Sequence, residues 1–108
     1  MSEREGRIAR NEAVAREINE GIEDARPANP EDYLRMVCEC GRPHCSSVIA
    51  ISIREYEAVR EDPRMFVVDH AHVSPDVEDT VRTTDRFVVV CKREGTPAAI
   101  AEEEDPRS

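Results

Sequence analysis

The chain has 108 residues, a formal net charge of −9 and no tryptophan, and 36% of its residues are charged. This length suits about one domain, and its small core is of the kind that a metal ion or disulfides often reinforce. The acidic balance and the lack of a basic patch argue against a nucleic-acid partner. No apolar run is long enough for a membrane span and the N-terminus has no apolar signal region, so we expect a cytoplasmic protein without membrane contact.

Residues 3–24 are predicted to form one long helix. Apolar side chains recur there at intervals of three or four residues, which is the spacing of one helical face: Ile8, Ala15, Ile18 and Ile22, with Val14 beside them. Such a thin stripe either covers a face of the domain or binds a protein partner, and a second copy of this chain is one such partner. Prolines at 27 and 30 end the helix and separate an N-terminal segment, 1–26, from the domain that follows.

Five strands are predicted after the helix, from alternating or β-branched stretches at residues 33–38, 48–53, 65–68, 77–83 and 87–91. The first two strands form a hairpin around a cysteine-rich turn, and the last two form a second hairpin. Ser74-Pro75-Asp76 also resembles a helix start, although the alternation that follows it favours a strand.

A short helix is predicted between the second and third strands. Ser52 and Glu55 have the spacing of a capping box, and the helix would run to about residue 61 with Tyr56 and Val59 in the core. Residues 95–108 are predicted to be a flexible acidic tail. The fold class is therefore α+β: a long N-terminal helix (1–26), a zinc-stapled domain (27–94) of mainly antiparallel strands with one short helix, and the tail.

Three of the four cysteines fall within eight residues, at Cys38, Cys40 and Cys45. Thiolates are soft ligands that zinc prefers, and in a reducing compartment such a cluster indicates a metal site rather than a disulfide framework. Gly41 follows the second cysteine, where glycine allows the unusual backbone angle that lets amides turn toward the sulfur atoms. Two other interpretations stay open: reduced thiols without a metal, and a redox pair formed by Cys38 and Cys40.

Tetrahedral zinc needs a fourth ligand, and the residues leave several candidates. His70 and His72 follow the third strand, which can return beside the cysteine turn. His44 is adjacent to Cys45, so binding by both would strain the loop. Cys91 lies on a predicted strand, where a cysteine is more often a small core residue.

The chain resembles a group of small, mostly uncharacterised bacterial proteins. The resemblance covers residues 10–107 and rests on Arg-Asn-Glu at 10–12, Cys-x-Cys-Gly-x-x-x-Cys at 38–45, Glu-Tyr-Glu-x-Val-Arg at 55–60, Pro-Arg-x-Phe-Val-Val at 63–68, a histidine, and Asp-Pro-Arg at 105–107. The group has Pro-Gly-His before that histidine, whereas this chain has His70-Ala71-His72. The resemblance implies Cys38, Cys40, Cys45 and His72 as the metal ligands, and it implies no particular biochemical activity.

The functional prediction is a small interaction or regulatory module with a structural zinc ion and no catalytic activity. Its partner would be another protein, or a second copy bound through the N-terminal helix. The alternatives are an enzyme with a Cys–His pair or a hydrolytic zinc, and a thiol redox protein. Nucleic-acid binding is a further alternative, which the missing basic face disfavours.

Overall fold

The computed structural model describes residues 3–25 and 29–107, and these have the predicted α+β architecture. The elements in chain order are α1 (Glu3–Ala25), β1 (Tyr33–Val37), β2 (Val48–Ser52), α2 (Ile53–Arg60), β3 (Met65–Val68), a 3₁₀ turn (His70–His72), β4 (Glu78–Thr83), β5 (Val88–Lys92) and α3 (Thr96–Glu103). No helix in these described parts of the chain is long and apolar enough to span a membrane.

The described strands form two antiparallel sheets, which contain the two predicted hairpins, β1–β2 and β4–β5. β1 pairs with β2, and the second sheet has the order β3-β5-β4, with a register shift in β4 between Thr80 and Arg82. The sheets meet just after β1, where the Glu39 N–H donates to the Val67 carbonyl at 2.8 Å. Aliphatic side chains from both sheets enclose one core, which includes Met36, Ile49, Ile51, Val67 and Val90.

The capping-box prediction for α2 is confirmed. The Glu55 N–H donates to the Ser52 hydroxyl, and the Glu55 carboxylate accepts from the Ser52 N–H. Tyr56 and Val59 are buried, as expected. The alternation at residues 77–83 forms strand β4, so the alternative helix start at Ser74 is wrong.

Only part of the apolar stripe predicted for α1 meets the domain. Val14 and Ile18 are 53% and 47% exposed, whereas the buried side chains include Glu12, Arg16 and Asn19. Partly buried Ile22 packs against the core from the same helix. Of the two interpretations left open for the stripe, covering a face of the domain is wrong for Val14 and Ile18, because this helix docks mainly through charged and amide groups that find partners in the domain.

Buried ion pairs hold α1 in place. Lys92, which is 3% exposed, lies between the carboxylates of Glu12 (2.5 Å) and Glu78 (2.6 Å). The Arg16 guanidinium stacks 3.9 Å from the centre of the Phe66 ring. It also donates to backbone carbonyls of three residues: Pro63, Met65 and Ala101.

The prediction of a flexible tail at residues 95–108 is wrong for its described part, because residues 96–103 form helix α3. Ala98 and Ala101 are buried, and Arg16 of α1 donates to the Ala101 carbonyl. Beyond the helix, Asp105 pairs with Arg60 of α2, and Arg107 forms ion pairs with Glu20 and Glu57. The acidic composition concealed this helix, because a short Ala-Ala-Ile-Ala segment is marginal as a helix until it packs against α1. A proline in the first helical turn was a local sign of the helix start.

The predicted boundary between segments 1–26 and 27–94 falls on residues 26–28, which lie outside the described residues. The division of the chain at that point stays a prediction.

Candidate metal centre

The structure brings the three clustered cysteines together with His72. The Sγ atoms of Cys38, Cys40 and Cys45 and a ring nitrogen of His72 all lie within 4.8 Å of one another, so the four residues could hold a metal ion. His72 Nδ1 is 3.5 Å from Cys38 Sγ and 3.4 Å from Cys45 Sγ. Cys38 and Cys40 are buried, while Cys45 and His72 are half-buried.

The hairpin of β1 and β2 positions the cysteines. β1 ends at Val37, and the Cys38 N–H still donates to the Ser47 carbonyl, which keeps the base of the turn closed. Because successive side chains of an extended chain alternate, Cys38 and Cys40 share one side and Glu39 points to the other. Gly41 then takes a left-handed backbone with φ of +73°, as its place in the sequence predicted.

Gly41 also forms the contact between this turn and α1. The Asn11 side-chain amide donates to the Gly41 carbonyl at 3.1 Å. A Cβ atom at Gly41 would lie 2.5 Å from the Ile8 carbonyl oxygen, so only glycine allows the helix to approach so closely. The helix therefore packs directly on the segment that carries the ligands.

The end of β3 delivers His72 to the cysteines. Asp69 begins the 3₁₀ turn, accepting the Ala71 N–H through its side chain and the His72 N–H through its carbonyl, both at 2.9 Å. The Asp69 N–H donates to Cys38 Sγ at 3.2 Å. The same residue thus fixes the turn that carries the histidine and contributes a hydrogen bond to a ligand sulfur.

The other candidates for the fourth ligand lie outside this group of four. His70 is exposed, and its Nε2 is 2.6 Å from the Thr84 carbonyl. His44 is exposed on the turn with φ of +61°. Cys91 lies on β5 opposite Met65 of β3, and its Sγ is 3.8 Å from the Lys92 carbonyl.

Burial opposes ionisation of two of the thiols. It raises the pKa of Cys38, against the hydrogen bond from the Asp69 amide, and it raises the pKa of Cys40. At Cys45 burial also favours the thiol, but hydrogen bonds from the Ser47 amide and from neighbouring groups outweigh it, and the pKa is lowered. A metal ion would therefore displace protons from Cys38 and Cys40 when it binds.

A buried carboxylate behind the cysteines was not predicted from the sequence. Glu39 is 0% exposed, and its Oε2 accepts from the Asn19 amide (2.9 Å) and the Tyr56 hydroxyl (2.8 Å), while Oε1 accepts from the Val67 N–H (3.1 Å). The amide of Asn19 also exchanges two hydrogen bonds with the backbone of Val37. The sequence signal that could have found it is the position of Glu39 between two cysteines. On an extended segment the middle side chain points away from the side that the two cysteines share.

The chain matches no protein-family model, no curated protein sequence and no solved structure. Its resemblance to small bacterial proteins stays a prediction.

Proposed function

We propose that the protein is a small interaction module in which Cys38, Cys40, Cys45 and His72 bind a structural zinc ion. The observation that carries the proposal is the convergence of three sulfur atoms and one imidazole nitrogen within 4.8 Å. Zinc–sulfur bonds of about 2.3 Å and zinc–nitrogen bonds of about 2.0 Å place the ligand atoms of a tetrahedron roughly 3.5 to 3.8 Å apart. The separations of His72 Nδ1 from two sulfur atoms, 3.5 and 3.4 Å, suit this geometry.

A structural role is favoured over a catalytic one by the donor set. Four protein ligands fill a tetrahedral site and leave no position for a substrate or a reactive water molecule. Three thiolates also donate much charge to the ion and weaken it as a Lewis acid. The site would keep one net negative charge, and the amide hydrogen bond from Asp69 to Cys38 helps to stabilise it.

The proposed ion would stabilise most of the domain, because its ligands come from distant parts of the chain. Cys38 and Cys40 follow β1, Cys45 precedes β2, and His72 follows β3. Binding of the ion would therefore join the cysteine turn to the end of β3 and so constrain the first hairpin, α2 and β3 relative to one another. Such a site cannot be preformed in the unfolded chain, so its binding energy contributes to folding.

Metal analysis and two histidine variants test the proposal. Native mass spectrometry of the purified protein is expected to find about one zinc ion per chain, as a four-ligand site requires. His72→Ala should weaken zinc binding in a chelator competition and lower the melting temperature. His44→Ala is the matched control, because it changes the same residue type on the cysteine turn, outside the group of four, and should alter neither quantity strongly.

Two results would contradict this function. One is a folded, reduced protein that contains no metal as isolated. The other is a His72→Ala variant with the zinc affinity and melting temperature of the wild type. A disulfide between Cys38 and Cys40 in the metal-free protein would favour the redox interpretation instead.

A further inference from the structure

We infer that two copies of this chain pair through the outward face of α1, with their helices antiparallel. This inference deepens the proposed function by naming the partner of the interaction module. It starts from the inverted polarity of the helix, which buries Glu12 and Arg16 and turns Val14 and Ile18 outward. At about 100° per residue, Val14 lies almost diametrically opposite Arg16 on the helix.

The outward face has the spacing of a helix-pairing seam. Steps of four and three residues connect a row of exposed side chains that runs along most of α1: Arg7, Asn11, Val14, Ile18, Gly21 and Ala25. This alternation keeps one row facing a partner helix over several turns. Gly21, where a Cβ would meet nothing within 4 Å, leaves the seam open for close approach.

The charges along the seam favour a second copy in the antiparallel direction. Arg10, Glu17 and Asp24 are exposed and follow one another at intervals of seven residues, so they share one flank of the seam, with Arg10 N-terminal to Val14 and Asp24 C-terminal to Ile18. When Val14 of one copy faces Ile18 of the other, an antiparallel arrangement places Arg10 of each copy near Asp24 of the other. A parallel arrangement would instead place arginine against arginine. Two Arg10–Asp24 pairs thus make the two ends of the seam complementary to each other about a twofold axis, while Glu17, near the axis, faces its own copy.

The cysteine turn forms one wall of the proposed interface. A shallow groove of about 390 Å³ lies between α1 and the turn, and its lining includes Val14, Ile18, Pro43, His44 and Cys45. The groove can accept the aliphatic side chains of a partner helix beside the seam. Zinc binding would fix the turn and therefore the shape of this wall.

The self-association test uses the full-length, zinc-loaded chain. Sedimentation velocity between about 1 μM and about 1 mM should show a monomer–dimer equilibrium, since a small interface of this kind gives weak association. Ile18→Glu should raise the dissociation constant at least about tenfold, because it replaces a buried aliphatic contact by a charge. Val81→Glu is the matched control: Val81 is 52% exposed on β4, remote in sequence from the seam, and this variant should dimerise like the wild type.

Charge reversal tests the direction of the helices. Arg10→Glu and Asp24→Arg should each weaken the dimer, and the double variant should recover most of the wild-type affinity. A parallel dimer would not show this recovery, because position 10 would face position 10 in every variant.

A chain that stays monomeric over the whole concentration range, or a dimer that Ile18→Glu leaves intact, would overturn the inference. Far-UV circular dichroism of each variant establishes that the fold is retained, which exposed sites allow. The zinc measurements are independent of these results: a zinc-loaded monomer refutes only the pairing, and a metal-free dimer refutes only the zinc site. Binding of a different protein at the seam by a strictly monomeric chain would also count against pairing.

Discussion

Replacing Gly41 by alanine is expected to destabilise the protein strongly, because two separate costs fall on this position. A left-handed backbone, here with φ of +73°, costs an L-residue about 1–2 kcal/mol. The new Cβ would lie 2.5 Å from the Ile8 carbonyl oxygen and 2.7 Å from Glu12 Cγ. Since the nearest atom belongs to the backbone of α1, the helix or the turn must move, and such overpacking costs about 1–3 kcal/mol. The expected loss is about 2–5 kcal/mol in the free energy of unfolding.

Two other glycines separate these costs. At Gly21 a Cβ would meet nothing within 4 Å, and the position is helical, so Gly21→Ala should stabilise the protein by up to about 1 kcal/mol. At Gly95 a Cβ also meets nothing within 4 Å, but φ is +120°, so Gly95→Ala should report backbone strain alone, at about 1–3 kcal/mol. Gly41→Ala carries the steric conflict in addition.

Urea unfolding of the wild type and the three variants, prepared in one way and followed by far-UV circular dichroism at one protein concentration, measures the three effects. With a urea dependence of about 2 kcal/mol per molar, the midpoint of Gly41→Ala should fall by about 1–2.5 M. Wild-type stability of Gly41→Ala would refute the close approach of α1 to the turn. Equal losses at Gly21 and Gly41 would show that the effect is not specific to the contact.

Three further predictions concern buried polar groups. Arg16→Ala should lower the free energy of unfolding by about 3–5 kcal/mol, because the guanidinium is buried and its partners lose their donors. The control Arg54→Ala, which removes an exposed ion pair, should cost less than about 1 kcal/mol. Equal effects of the two variants in urea unfolding would contradict the buried docking of α1. Tyr56→Phe should lower the free energy of unfolding by about 1–3 kcal/mol, because it removes a 2.8 Å hydrogen bond to the buried Glu39 carboxylate. The control Tyr33→Phe, at a side chain that is 62% exposed, should be neutral, and thermal melts compare the two variants. Burial raises the pKa of Glu12 to about 7 in the folded protein, so the folded state binds the proton of this carboxyl more tightly than the unfolded state does. The stability that this proton contributes is therefore lost as the pH rises from about 4.5 to about 7. Glu12→Gln should therefore gain stability relative to the wild type over that range, and a difference that does not change with pH would argue against the shift.

The strands and the cysteine part of the candidate metal site were predictable because their signals are local. Alternation of apolar residues located β1 and β2, and the Ser52–Glu55 spacing located α2. The cysteine turn carries its own chemistry, so three candidate ligands were evident. His72 could not be chosen over His70 from spacing alone, because both follow β3. Asp69 separates them by starting a 3₁₀ turn that points His72 toward the cysteines.

The orientation of α1 was not predictable, because it depends on partners far away in the chain. Glu12 can be buried because it forms an ion pair with Lys92, and Asn19 can be buried because its amide donates to Glu39 and to the Val37 carbonyl. Nothing next to these residues in the sequence distinguishes them from exposed polar residues. Helix α3 was missed for a related reason, since its short alanine-rich segment becomes a contact surface only beside α1.

The polar contact face of α1 determines how detachment of the helix would respond to temperature. Separation from the domain would expose mostly charged and amide groups, whose hydration lowers the heat capacity, and only a little aliphatic surface, whose hydration raises it. The two contributions offset each other, so detachment of α1 would change the heat capacity little, and hydrogen exchange of the amides of the helix would report the event. Cooling weakens apolar burial in most proteins, but it would leave this helix attached to its domain.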